Sequence, residues 1–356
     1  MPFINVKMLE GRSEEQKRKL VKAMTEAIVN ICDAKPEGTT VVIEEVARAD
    51  CGELFITLHS RLVGPYIDRF GTEEQKQRWL PGCASGEKIL AIAMTEPDAG
   101  SDLAGMRSNL KDMGDHYLLN GSKIYISNGI NADLVVVAAK TDPENNPHAM
   151  SLVVVERGME GFERGRNLDK MGMHAQDTAE LFFNDVKIPK ENLLGEEGKG
   201  FYHLMEGLAE ERLITAAGCV AHARAGFDVT REFVMERKVF GKPLSAMQNT
   251  QFKMAEMEAK IDVMETYIDA LVAQHNEGKL SAEKAAIAKL QGSEIEWKMM
   301  DLGVQLHGGA GYMSEYRICN MFQGARINRI LAGSSEIMKL IISRQVFSDK
   351  YVSTQS

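Results

Sequence analysis

The sequence contains no uninterrupted apolar run approaching the roughly 20 residues that a membrane helix needs, so no membrane span is expected. It has no excess of basic residues either. With 42 Lys and Arg against 51 Asp and Glu, the net charge of −9 argues against non-specific binding to nucleic acid or anionic lipid. Cysteine is scarce: Cys32, Cys51, Cys83, Cys219 and Cys319 are odd in number, scattered and never in a C-x-x-C pair, the pattern of reduced thiols in a cytoplasmic protein. The 8 histidines show no metal-ligand spacing, so no metal is expected. P-loop, H-E-x-x-H and G-x-S-x-G motifs are missing. The glycines from Gly195 to Gly200 precede a helical pattern without the following βαβ unit, which excludes a Rossmann turn. The N-terminus reaches Glu10 and Glu14 early and lacks both a signal-peptide core and an Arg-rich presequence, so an unexported, cytoplasmic protein is expected.

What is present is a chain of 356 residues with 44% hydrophobic and 26% charged residues, long enough for more than one domain. Residues 1–46 combine an alternating Phe3-Ile4-Asn5-Val6, a helical stretch opening on a Ser13/Gln16 capping box, and a β-branched Thr39-Thr40-Val41-Val42-Ile43 run, a β-α-β pattern. From 47 to 90 the pattern is helical, with Leu54, Leu58, Leu62 and Ile67 spaced for one buried face and Ser85-Gly86 as a breaker. Residues 91–196 are β-rich, with Asn120-Gly121 predicting a hairpin turn and strands at 134–137, 151–155 and 180–183. From 197 to 356 the pattern is that of a helical bundle. Val263, Met264, Tyr267, Ile268, Leu271 and Val272 share one predicted face, and Ser281 caps the helix that runs through Trp297 and Met300. The fold class is therefore α+β.

Five motifs recur in fixed order: Met94-Thr95-Glu96-Pro97-Asp98-Ala99-Gly100-Ser101-Asp102, Ile124 to Gly129, Arg237 to Lys242, Gln305 to Tyr312, and Ala332 to Met338. In that order and rough spacing they resemble the acyl-CoA dehydrogenase family from about Ile43 to about Lys350. The resemblance implies a helical N-terminal domain, of which residues 47–90 match only the last part, then a β domain and a C-terminal four-helix bundle. It also implies FAD as cofactor, an acyl-CoA thioester as substrate, an electron-transfer flavoprotein as partner, and a homotetramer.

Carried over residue by residue, Met94, Thr95, Gly100, Ser101, Tyr125 and Ser127 are expected to border the flavin ring, with Thr95 and Ser127 donating hydrogen bonds and Tyr125 stacking. Arg237 and Phe240 are expected to meet the diphosphate and adenine side from a neighbouring subunit, with Gln305 and Gly309 near the diphosphate and Gln248, Ser334 and Glu336 close by. The family draws its catalytic glutamate from one of two positions. The position before Gly333-Ser334 is Ala332 here, whereas Leu208-Ala209-Glu210-Glu211-Arg212 supplies Glu211 directly before an arginine, as in the long-chain and isovaleryl branches. Glu211 is then the base that takes the alpha proton while hydride leaves the beta carbon. Ser101, Arg212, Ala332 and Gly333 are expected at the substrate, with a backbone amide near Ala332 on the thioester oxygen. On residue type alone, Glu210-Glu211-Arg212 also reads as an ordinary surface cluster.

The first segment, with Pro2 behind the initiator Met and Arg12 after Gly11, resembles the front of a 4-oxalocrotonate tautomerase, whose terminal proline amine acts as a base. The likeness stops near Val46, before that family's C-terminal hairpin, and Thr40 stands where a substrate-binding arginine is expected. A catalytic tautomerase segment, a packed cap or fusion remnant, and a truncated flavin-fold remnant or chimera without turnover all remain open on the sequence.

Overall fold

The computed structural model describes residues 57–141 and 149–348 in full and, at the front of the chain, the backbone of residues 3–6 and 40–43. Pro2, Arg12, the Ser13 cap and Leu54 lie outside the described residues. Strands β1 (Phe3–Val6) and β2 (Thr40–Ile43) pair in parallel, Phe3 opposite Thr40. Parallel neighbours need a long connection, and the stretch of chain between Val6 and Thr40 is long enough to supply one.

A π-helical turn, Leu58–Val63, runs directly into α1 (Gly64–Phe70), which carries Pro65 in its first turn. Helix α2 (Glu73–Ser85) opens on a capping box: Gln75 N donates to Thr72 Oγ1 at 3.3 Å and Thr72 N donates to Gln75 Oε1 at 2.9 Å. The Gln75 amide also donates to the carbonyls of Glu191 and Leu193, both at 2.7 Å, tying α2 to the β domain. Gly86 ends the helix at φ 82°, as its breaker role predicts. Leu58 and Ile67 are buried and Leu62 is half-buried.

The β domain is one eight-stranded sheet. Its strands are β3 (Leu90–Ala93), β4 (Asn109–Asp112), β5 (His116–Ser127), β6 (Leu134–Lys140), β7 (Met150–Glu156), β8 (Phe162–Asn167), β9 (Thr178–Pro189) and β10 (Leu193–Leu194). The order is β10-β7-β6-β4-β5-β9-β8, with β3 parallel to β6. The β-branched runs of β6 and β7 are buried on both faces, which accounts for their continuous hydrophobicity.

Asn120-Gly121 makes no hairpin. Both residues lie inside the continuous strand β5, and the turn between β4 and β5 is at Met113–Asp115. Gly121 sits in a register shift against β9, and a Cβ on it would fall 2.3 Å from Ser108 Oγ and 2.7 Å from Ser108 Cα. The glycine thus serves a bulge with close backbone approach. Asn120 exchanges hydrogen bonds with Asp185, both at 2.9 Å.

The remaining chain is helical: α3 (Gly200–Glu236), α4 (Gln248–Asn276), α5 (Ala282–His307), α6 (Arg317–Ala325) and α7 (Ser335–Val346). A two-residue hairpin, β11 (Lys238–Val239) and β12 (Lys242–Pro243), joins α3 to α4. Ser281 caps α5 by accepting from Lys284 N at 3.2 Å. Leu213, Val220, Ile261, Met264, Ile268, Leu271, Ala288 and Met299 form the core between α3, α4 and α5. Val263, assigned from the sequence to this face, points to solvent at 66% exposure, because it falls next to Met264 on the far side of the stripe. Among the described residues no helix is long and apolar enough to cross a membrane.

Candidate active site

Strand β3 delivers the chain into the loop carrying Met94, Thr95, Gly100 and Ser101. Glu96 and Ala99 close it by exchanging backbone hydrogen bonds at 2.9 and 3.2 Å. The Glu96 carboxylate turns inward and accepts from Lys123 Nζ at 2.9 Å, Ser108 N at 3.0 Å and Arg107 N at 2.6 Å. Lys123 also donates to the Met94 carbonyl at 3.0 Å. Burial alone would raise the Glu96 carboxyl, but the Lys123 charge and these donors outweigh it and hold the group below the ordinary range.

The loop is joined to β5 a second time, by Ile124 N donating to the Thr95 carbonyl at 3.0 Å. The next residue, Tyr125, has a left-handed φ of 60° within a register shift against β9 and stands 66% exposed. The structure therefore brings Met94, Thr95 and Tyr125 together, with Ser127 two residues along the same strand; Gly100 and Ser101 are exposed at the loop's far side. Sequence reading missed Glu96 and Lys123 as the clasp. Their signal was a lysine at an inward position of an alternating strand, which needs a buried anion.

The helical candidates form separate stations. Arg237 follows α3, and its carbonyl accepts from Leu244 N at 2.7 Å to close the small hairpin. Phe240 at the tip has φ 49° and is 98% exposed. Gln248 opens α4, and Gln305 and Gly309 flank the end of α5, all three exposed. A Cβ on Gly309 would meet nothing, whereas one on Gly311 would fall 2.5 Å from the Val304 carbonyl. Ser334 caps α7 by accepting from Ile337 N at 3.4 Å. Glu336 follows in the first turn, its carboxyl lowered by a backbone hydrogen bond and by Ser334. Among the described residues no hydrogen bond or ion pair joins these stations to the Met94–Tyr125 corner.

Ala332 and Gly333 form a left-handed turn at φ 52° and 91°, a conformation that strains the alanine. Lys289, fully buried on α5, donates to the Gly333 carbonyl at 2.6 Å and holds that turn. Burial pushes its amine down to about 8. No local pattern pairs this lysine with a carbonyl 44 residues away.

Glu210, Glu211 and Arg212 are all buried, at 5%, 5% and 6% exposure, so the surface-cluster reading is wrong. Helix α1 and its preceding turn divide the two carboxylates. Glu210 is held by Arg61 at 3.5 Å, by contact with Arg69, and by His275 Nε2 at 3.8 Å. Glu211 receives instead a neutral donor, Tyr66 Oη, at 2.7 Å on its Oε1. Burial raises the Glu211 carboxyl to about 7, and the Tyr66 hydrogen bond and the nearby Arg212 charge only partly offset it. The Tyr66 phenol is pushed upward by burial and by Glu211, so it stays protonated. Arg212 keeps a buried Nε without a hydrogen-bond partner. A carboxylate titrating near neutrality in a dry setting is suited to accepting a proton from a substrate held out of water.

Comparison with known proteins agrees with this architecture. Family models match in chain order: tautomerase enzyme at residues 2–52, and the acyl-CoA dehydrogenase N-terminal domain at 33–87, middle domain at 91–186 and C-terminal domain at 198–347. The long-chain specific acyl-CoA dehydrogenase of Mus musculus, named as mitochondrial, is 46% identical over 313 residues, covering 87% of this chain and 73% of its own. The crystal structure of an acyl-CoA dehydrogenase from Geobacillus kaustophilus superposes with a TM-score of 0.84 at 48% identity, over 86% of this chain and 81% of that one. A glutaryl-CoA dehydrogenase from Mycobacterium smegmatis, solved in complex with FADH2, gives 0.81 at 29% identity over 85% and 78%. The chain belongs to the acyl-CoA dehydrogenase family.

Proposed function

We propose that the chain dehydrogenates an acyl-CoA thioester between its alpha and beta carbons, with Glu211 as the base. It is an acyl-CoA dehydrogenase, an oxidoreductase with FAD as its cofactor. The observation that carries the assignment of the base is the division of labour at residues 210 and 211. Glu210 is neutralised by arginines, whereas Glu211 is buried, faces a neutral phenol and titrates near 7.

The residues present fit FAD. Tyr125 and Phe240 offer exposed rings at left-handed backbone positions, an arrangement that costs energy unless something is gained from it. Gly309 leaves backbone bare where a Cβ would meet nothing. Met94, Thr95, Gly100, Ser101, Tyr125 and Ser127 would hold the ring. Arg237 and Phe240 of a neighbouring subunit, with Gln248, Gln305, Gly309, Ser334 and Glu336, would hold the rest. When bound, FAD supplies the two-electron acceptor that side chains lack.

For the substrate, Glu211 takes the alpha proton. The charge that develops on the thioester oxygen meets backbone N–H at the Ala332–Gly333 turn, which Lys289 keeps in place. Ser101 and Arg212 contribute to binding the CoA thioester, Arg212 with its unpartnered Nε. An electron-transfer flavoprotein is the proposed acceptor and a homotetramer the proposed assembly, supported by the exposed Phe240, Tyr312 and Phe347. The proposed location is the cytoplasm, supported by the free thiols of Cys83, Cys219 and Cys319. The working domain limits are 1–46, 47–90, 91–196 and 197–356.

The test is anaerobic reduction of the bound flavin by acyl-CoA. Glu211→Gln is expected to retain FAD and ligand while losing reduction by orders of magnitude. An inactive Glu210→Gln beside a normal Glu211→Gln overturns the assignment. The tautomerase match and the parallel β1–β2 pair favour a second reading for the first segment. Turnover of a 2-hydroxydienoate that vanishes in Pro2→Ala would make it a second active site; no turnover leaves it a packed remnant.

A further inference from the structure

Tyr66 reaches Glu211 across 145 residues, from a helix that the sequence marks only as an apolar face. Its ring is buried at 2% exposure and packs near Phe70, which stacks on His203 of α3. The phenol has one proton. Its distances are 2.7 Å to Glu211 Oε1 and 3.5 Å to the Leu204 carbonyl, so the carboxylate receives it. The approach depends on Gly207, one helical turn before Glu211. A Cβ there would lie 2.8 Å from Tyr66 Oη and 3.1 Å from Cζ, closer than real Cβ contacts. A glycine inside a long helix weakens it relative to alanine, so helix formation does not favour this choice.

We infer that Tyr66 is a positioning residue for Glu211: its phenol caps Oε1 through the gap left by Gly207, fixing the carboxylate so that Oε2 is the atom offered to the substrate proton. The inference rests on the reading of Glu211 as the base. A neutral donor suits that task better than the arginines given to Glu210. An arginine would orient the carboxylate equally well, but its full charge would depress the affinity for the proton that the reaction delivers. Tyr66 can keep its hydrogen bond throughout, because Oε1 still accepts after Oε2 has taken the proton.

The experiment compares wild type, Tyr66→Phe, Gly207→Ala and the double variant as FAD-loaded full-length proteins. The first readout is the infrared carbonyl band of the neutral Glu211 carboxyl against pH, identified by its loss in Glu211→Gln. A hydrogen bond to the ionised form favours that form, so its removal raises the titration midpoint, by about one pH unit. Tyr66→Phe and Gly207→Ala should each produce this rise, and the double variant should rise no further than either alone, since both remove the same contact. The second readout is the pH profile of flavin reduction. Its acid limb should move upward with the band, and a loss on the order of tenfold should persist at high pH, where only positioning differs. A band midpoint unchanged in Tyr66→Phe overturns the inference, as do additive shifts in the double variant. A Glu211→Gln protein that reduces flavin normally refutes the reading of the base instead, and leaves the band shift to be judged by itself.

Discussion

Glu211 gives a stability prediction that is independent of catalysis. Its carboxyl titrates near 7 in the folded chain against an ordinary value of 4.5. At 1.36 kcal/mol per pH unit, that gap corresponds to about 3 kcal/mol of unfavourable ionisation in the native state. The sign follows from proton binding. Below pH 4.5 the group is neutral in both folded and unfolded chains and costs nothing. Between 4.5 and 7 the folded chain binds more protons, so stability falls as pH rises; above 7 the full penalty applies. Glu211→Gln removes the charge and keeps an oxygen for Tyr66. The variant should therefore be more stable than wild type by about 3 kcal/mol at pH 8, with the difference shrinking through pH 7 and vanishing below 4.5. Unfolding entropies near 2.1 cal/mol/K per residue put this at roughly 4 °C in melting temperature for a chain of this length. The assay is thermal and urea unfolding of both proteins from pH 4 to 8.5 with FAD saturating in each. Parallel pH dependences, or a glutamine variant less stable at pH 8, would refute the reasoning.

Breaking the clasp beneath the loop by Lys123→Met leaves Glu96 buried without its cation. A loss of about 3 kcal/mol in urea unfolding is expected, with reduced flavin content after gel filtration; unchanged values would mean that the loop is held elsewhere. Gln75→Ala removes one half of the α2 capping box and both donors to the 191–193 carbonyls, so a cost of about 1 to 3 kcal/mol is expected, and less than 0.5 would contradict it. Arg237→Ala should lower the bound flavin per chain, and more so on dilution, as linkage between ligand and assembly requires. Equal flavin content in a monomeric preparation would contradict the placement of Arg237 across a subunit boundary.

The strands at 134–137 and 151–155 were legible because double burial forces continuous β-branched runs, and Ser281 because capping is local. Asn120-Gly121 misled for the same reason that short motifs often do. The dipeptide permits a turn, but the glycine is required by the backbone of Ser108, a neighbour that only the folded sheet supplies. At the candidate site, the ordered motifs and Ala332 singled out Glu211 for attention, whereas its partner Tyr66, Lys289 and the Glu96–Lys123 pair carried no such signal. Each acts through a contact between residues 27 to 145 positions apart, and no local pattern encodes that. Val263 shows the limit of face counting, since one position along a helix turns a side chain by a quarter of the circle.

Helix α3 runs unbroken from Gly200 to Glu236, so Glu211 and the Arg237 hairpin sit on one rod. At 1.5 Å per residue, the 26 positions from Glu211 to Arg237 span about 39 Å. A lever of that length converts a tilt of one degree at one end into a displacement of about 0.7 Å at the other. Displacement on that scale takes a hydrogen bond of 2.7 Å beyond its useful range. Whatever seats the hairpin thus also sets the aim of the carboxylate, and the machine's tolerance is fixed by the straightness of a single helix.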